Sequence, residues 1–262
     1  MQRVFFADHD ISLKNIHLHN YLIIFAKNCN IEFSTKKTKK TFNKGNVIFM
    51  KKNINVNVRT QRVSPGKLYD SVTITAEDLQ KARRIIEEVY TIDYFIRNNT
   101  EKKEIISIQP KDEDTKLINS LFNKNKDERF IISLLYLISK QSNFMEIAFT
   151  FFTSSTITFS DKVKEIVEMD LTRKWKLTDI ACSLNVSEIT VRKNLERSGL
   201  TFNQLLLDLR MQEAFRYITK GDCRVNKAAS LTGFSNPSYF IKQFKKYYSI
   251  TPKKLYEFIH VY

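Results

Sequence analysis

Two stretches in the last hundred residues repeat one pattern, and that repeat constrains the fold more than any other feature of the chain. The run GFSNPSYFIKQFKK at 233–246 sets Phe240 and Phe244 one helical turn apart behind Ser235, a candidate cap, with lysines flanking the apolar face. A short helix so marked packs inward on one side and offers cations on the other. The earlier copy begins near Trp175. A helix starting at Thr178 or the residue before it carries Ile180, Ala181 and Leu184 inward, and Asn185 and Val186 make a turn. Ser187 then caps a second helix that runs to about Arg197, with Val191 and Leu195 inward. Ala229 follows Ala181, and Ser235 follows Ser187, at the same interval, but the inward pairs differ by one step. The repeat therefore reads as divergent and out of strict register. Between the copies, Phe202, Leu205, Leu206 and Leu209 open a long helix reaching Tyr217 that would join them rigidly.

A helix of this kind fits the major groove, whose successive openings on one face of B-DNA lie about 34 Å apart. Two such helices on a rigid joint could read one asymmetric site from a single chain. The implied partner is double-stranded DNA. Candidate contact residues are Thr190, Lys193, Asn194 and Arg197 in the first copy, and Ser238, Tyr239, Lys242, Gln243 and Lys246 in the second. Asn and Gln pair bidentately with adenine and Arg or Lys with guanine, while some lysines touch only phosphate.

The bulk properties agree. A chain of 262 residues is long enough for two domains. Its net charge of +15 suits a polyanion, and the excess is shared: residues 161–262 hold 18 basic against 11 acidic side chains. No apolar run reaches bilayer length, and Met1 to Asp10 lack the apolar core of a signal peptide, so a cytoplasmic protein is expected, with no membrane partner. Cys29, Cys182 and Cys223 are scattered and read as reduced thiols packed as small hydrophobes, not as a zinc site. Phosphate-loop, zinc-protease and nucleophile-elbow motifs are absent, and the carboxylates are scattered. No enzyme, metal or resident cofactor is expected. The rival readings are a low-specificity DNA-coating antagonist of silencing, or a nucleic-acid enzyme targeted by the repeat.

The first third reads as β. Residues 53–58 alternate with period two, and 16–25, 30–33, 47–50 and 69–74 are further strands, with a basic loop at 36–40. Thr75 with Asp78 forms a capping box ahead of Leu79, Ala82, Ile86 and Val89 on one helix face. Two helices follow, at 115–122 and 127–140. The second carries acids in its first turn and a stripe of Ile131, Leu134, Leu135 and Ile138, either a core face or a homodimer seam. Thr153, Ser154, Ser155 and Thr156 break the pattern, and Ser160 would cap a helix over 161–171. The expected fold is α+β. A β-rich, cupin- or jelly-roll-like domain with helices (1–152, regulatory) precedes a linker (153–159) and an all-α domain of two tandem helix-turn-helix units joined by a long helix (160–262).

Over 161–258 the chain resembles the AraC/XylS family of transcription activators. The resemblance rests on Arg210, Ala214, Gly233, Phe234, Ser238, Tyr239, Phe240, Phe244, Lys245, Lys246, Thr251 and Pro252, with Trp175, Leu177, Ile180, Ala181, Ser187 and Phe202 in the first unit. Within the family it looks like the enteric virulence branch of the Rns, AggR, ToxT and RegA type. The resemblance implies promoter binding, recruitment of RNA polymerase, and an N-terminal domain for effector binding, homodimerisation or both. It also implies a small anionic effector, bicarbonate or a fatty acid, held between the domains. His17 and His19, two apart on a strand, are the candidate effector residues, the alternative being ordinary surface or rim positions. Fatty-acid-responsive relatives carry a basic residue on the strand after Tyr69, where this chain has Thr73. Ala228, Thr232 and Ser249 also depart from the family pattern, Ser249 at a position where left-handed backbone would favour Gly.

Overall fold

The computed structural model describes residues 12–35, 38–90, 103–122, 129–220 and 224–260. It divides into two compact units, 1–156 and 157–262.

The first unit holds eight strands among its described residues: β1 Ser12–Leu18, β2 Tyr21–Ala26, β3 Cys29–Ser34, β4 Lys39–Phe42, β5 Val47–Met50, β6 Ile54–Arg62, β7 Tyr69–Ile74 and β8 Ile105–Ile108. They form two four-stranded antiparallel sheets, ordered β1-β6-β3-β4 and β7-β2-β5-β8, in the expected jelly-roll-like manner. Burial follows from layering. Strand β6 is half-buried and alternates: Ile54, Val56 and Val58 face inward while Asn55, Asn57 and Arg59 face out. Strand β5 is buried at all four residues because its sheet is covered on both faces. Ile48 and Met50 meet the first sheet's Ile31, Phe33 and Val56, whereas Val47 and Phe49 meet helices. Those helices are α1 Ala76–Val89, α2 Thr115–Leu121, α3 Phe130–Ser139 and α4 Phe144–Ser155.

The predicted strand at 16–25 is two strands, parted before Tyr21. The basic loop at 36–40 contains the start of a strand, since Lys39 and Lys40 lie in β4 and pair with Ser34 and Phe33. Val89 is 71% exposed and off the buried face of α1, which carries Leu79, Ala82 and Ile86 behind the predicted Thr75–Asp78 box. Helix α3 is described from Phe130; the predicted start at 127 and the acids of its first turn lie outside the described residues. Its stripe of Ile131, Leu134, Leu135 and Ile138 is core, not a free seam. The predicted 153–159 linker is mostly helix: residues 153–155 complete α4, and Phe159 opens the next helix.

One polar cluster ties the sandwich. Asp70 on β7 is paired with Lys27 after β2 and Lys67 before β7. Burial alone would raise its carboxyl, but hydrogen bonds and charge from both lysines outweigh that and hold it below the usual carboxylate range. Cys29 is buried, donates to the Leu68 carbonyl at 3.3 Å, and has its thiol pushed up by burial to about 12. Cys182, by contrast, is exposed, which corrects its expected packing, and Cys223 lies outside the described residues.

The second unit is helical: α5 Phe159–Glu168, α6 Leu177–Ser183, α7 Glu188–Arg197, α8 Phe202–Lys220, α9 Val225–Leu231, α10 Pro237–Tyr248 and α11 Pro252–His260. Thr158, not Ser160, caps α5, in a box with Asp161. Ser160 is a buried residue of the first turn. Helix α8 serves two cores. Leu205 and Leu209 join Val163, Val167, Ile180, Val191 and Leu195, while Ala214, Phe215 and Ile218 are buried farther along. Around that second end runs a chain of ring contacts: Phe234 on Phe240 at 5.3 Å, Phe240 on Phe244 at 5.7 Å, Phe244 on Tyr248 at 4.8 Å and Tyr248 on Phe215 at 5.0 Å. No described helix is long and apolar enough to cross a membrane.

Candidate nucleic-acid interface

The two helix pairs α6–α7 and α9–α10 are built alike. In the first, Val186 N–H donates to Ala181 O at 3.0 Å across a turn in which Asn185 takes positive φ (52°). In the second, Phe234 N–H donates to Ala229 O at 2.9 Å, with Gly233 at φ 78°. Only glycine fits at 233. A Cβ there would stand 2.6 Å from Leu171 O and 2.8 Å from Arg210 Nη2. Asn185 keeps its side chain because Asn tolerates the left-handed region.

Ser187 caps α7, accepting from Thr190 N–H at 3.1 Å. The expected cap Ser235 is not the cap of α10. Asn236 is, accepting from Tyr239 N–H at 3.1 Å, with Pro237 at the first helical position. This removes the apparent register slip. Ser187 and Asn236 correspond, and so do Val191 with Phe240 and Leu195 with Phe244, all at one interval; Ser235 is a single extra residue in the second turn. All four inward residues are fully buried.

In that register the candidate contact residues pair off: Thr190 with Tyr239, Lys193 with Lys242, Asn194 with Gln243, and Arg197 with Lys246. Lys193, Arg197, Ser238, Tyr239, Lys242 and Lys246 are exposed, while Thr190, Asn194 and Gln243 are half-buried. Asn194 is bonded locally. Its Nδ2 donates to Thr190 O at 3.0 Å and its Oδ1 accepts from Arg197 Nη1 at 3.2 Å, which leaves one N–H and one lone pair of the amide for a further partner. Arg192 and Lys245 are also exposed cations on these two helices and were missed from sequence; in the common register they fall opposite Ile241 and Glu196, so the repeat does not point to them.

Arg210, midway along α8, joins the pairs. Its guanidinium donates to Leu171 O at 3.1 Å and Arg173 O at 2.9 Å, and lies 6.0 Å from the Phe234 ring centre. The loop it holds is itself ordered. Asp179 accepts from Lys176 N–H at 2.7 Å and from Arg173, which keeps its carboxyl below the usual range, and Arg173 stacks on Trp175 at 4.3 Å. Of the departures from the family pattern, Thr232 is fully buried with its hydroxyl donated to Ala228 O at 2.8 Å, and Ser249 adopts φ 63°.

Residues 180–257 match the family profile described as "Helix-turn-helix domain". Over 249 residues the chain is 39% identical to the "HTH-type transcriptional activator FapR" of Escherichia coli, covering 93% of this chain and 95% of that protein. The "Virulence regulon transcriptional activator VirF" of Shigella flexneri is 33% identical over 92% of this chain and 93% of its own length. The chain belongs to the AraC family of helix-turn-helix transcriptional activators. Its relatives include the virulence activators, and it is a DNA-binding transcription activator. The fold agrees with that of another AraC-family regulator, ToxT from Vibrio cholerae: TM-score 0.72, 20% identity, with 98% of each chain covered. One ToxT crystal structure has an unsaturated fatty acid bound.

The N-terminal unit of this AraC-family chain has a cavity of about 50 Å³ between its sheets, lined by residues including Ile16, Leu18, Leu22, Phe33, Met50 and Val58. The two candidate effector residues are together but elsewhere. His17 and His19 have ring centres 4.2 Å apart, and His17 Nδ1 is 2.8 Å from Asn55 Oδ1. Because Ile16 and Leu18 face the cavity, His17 faces the opposite side of the sheet. Both histidines are only 5% exposed, so neither is an ordinary surface or rim residue.

Proposed function

We propose that this activator binds an asymmetric duplex site near virulence promoters in the bacterial cytoplasm, with α7 and α10 in successive major-groove openings, and recruits RNA polymerase. The observation carrying this reading is the pair of helices in common register on the shared α8, each with an outward cationic face. Lys193, Arg197, Lys242 and Lys246 hold phosphates or guanine, and Ser238, Tyr239 and Gln243 complete the second contact. Thr190 and Asn194 complete the first.

The N-terminal sandwich is the regulatory unit, and its effector is an amphiphilic carboxylate of the fatty-acid kind. The apolar cavity wall supports an acyl chain and gives no support to bicarbonate, a small hydrated anion. A cavity of about 50 Å³ is far below the roughly 300–1,000 Å³ of small-molecule sites, so acyl binding requires the sheets to part. Homodimerisation would use exposed Ile132 and Tyr136 on α3, on the side away from its buried stripe.

The test is selection from random duplexes at physiological salt, with a long-chain fatty acid, with bicarbonate and with neither. One asymmetric motif, recovered in a yield that changes with fatty acid, is the expected result. Retention without a motif, vanishing as salt rises, would instead favour the DNA-coating reading.

A further inference from the structure

We infer that Ile189 reads a thymine methyl group in the half-site of the first helix pair, an assignment that rests on the DNA-binding reading above. Ile189 is the second residue of α7 and is 65% exposed. The inward direction of α7 is set by Val191 and Leu195, both fully buried. At 3.6 residues per turn the opposite direction runs through Lys193, with Ile189 beside it one turn nearer the N-terminus. Residues in the first turns of a recognition helix are the ones that reach base edges. Glu188, the other exposed residue of α7 ahead of Val191, is drawn back toward α6 by the Thr178 hydroxyl at 2.7 Å. Thr190 is half-buried, and its hydroxyl meets Ser187 Oγ at 2.9 Å. That leaves Ile189 as the group presented outward by the first turn.

The first pair's core does not use it, so its apolar surface is available to gain by burial in the bound state. The chemistry around it selects the cover. Arg192 and Lys193, three and four residues on, place positive charge one turn from it, which draws a duplex to this face. The apolar feature of a duplex major groove is the thymine C5-methyl. The equivalent residue of α10 is Ser238, whose hydroxyl serves either base edge, so only the first half-site should carry the methyl requirement.

The experiment uses the full-length protein and the duplex recovered by selection, with each thymine replaced singly by deoxyuridine. That removes one methyl and leaves the pairing edge intact. Burial of one methyl corresponds to about a fourfold change in Kd. One position in the first half-site should weaken the wild type by about that factor. Ile189→Ala should bind the parent duplex more weakly, show no further loss at that position, and keep the wild-type salt slope; Ile189→Val should fall between. Equal loss in wild type and Ile189→Ala at every thymine would overturn the inference while leaving site-specific binding intact. A wild type with no motif at all would sink both readings.

Discussion

Gly233 bears two constraints at once, a left-handed backbone and no room for a side chain. Strain of about 1–2 kcal/mol for the conformation adds to about 1–3 kcal/mol for overpacking. Gly233→Ala should therefore lower the stability of the C-terminal unit by roughly 2–5 kcal/mol in urea melts and displace Arg210. Ser249 shows the reverse situation. It holds the left-handed position closing α10 with a side chain present, its N–H donating to Lys245 O at 2.9 Å. Ser249→Gly should stabilise the unit by up to about 1 kcal/mol, read as a higher Tm; a lower Tm would mean the hydroxyl has a role of its own. This position was legible in the sequence. The exposure of Cys182 was not, because one thiol carries no pattern from which a face can be read.

At the scale of elements, the cap of α10 can be checked directly. Asn236→Ala should cost about 1 kcal/mol and Ser235→Ala close to nothing. Ser and Asn are comparable caps, so residue type alone could not choose between them. Pro237 could have, since proline favours the first helical position and so marks its predecessor as the cap. The polar string 153–156 misled for another reason. Thr153 donates to Phe149 O at 3.0 Å and Ser155 to Phe152 O at 2.8 Å, returning their hydroxyls to the helix they seemed to break. Alternation made β6 legible, and the unbroken apolar run made β5 legible. Strands β4 and β8 are four residues each and too short to show a period. Among the strands, Asp70 gives a pH prediction. Its depressed carboxyl contributes stability that is present above the unfolded value, near 3.9, and is lost as pH falls through the folded one. Asp70→Asn should weaken the N-terminal unit at pH 7, and the difference from wild type should close in acid melts below about pH 4.

For the whole molecule, a chain of net charge +15 should bind duplex DNA with strong salt dependence. Lys246→Ala should reduce the slope of log K against log salt by about one if that lysine contacts phosphate. A relaxed preference at one base pair, with the slope unchanged, would make it a base reader instead. Phe240 is fully buried at the centre of the aromatic chain, so Phe240→Ala should cost about 3–5 kcal/mol and abolish binding by the second pair. The two-unit architecture was legible from the repeat and the strand periods. The local hydrogen bonds of Asn194 were not, because periodicity places a residue on a face but does not say what its side chain holds.

Arg210 sits at the midpoint of α8, holding with its donors the loop that leads into the first helix pair and lying beside Phe234 of the second. A joint of that kind makes the reading head a caliper with a set jaw width. One base pair added between the two half-sites turns the second by about 34° around the duplex axis, and α8 is one unbroken helix from Phe202 to Lys220 that resists following it. Promoters served by this activator would then tolerate changes of base far better than changes of length.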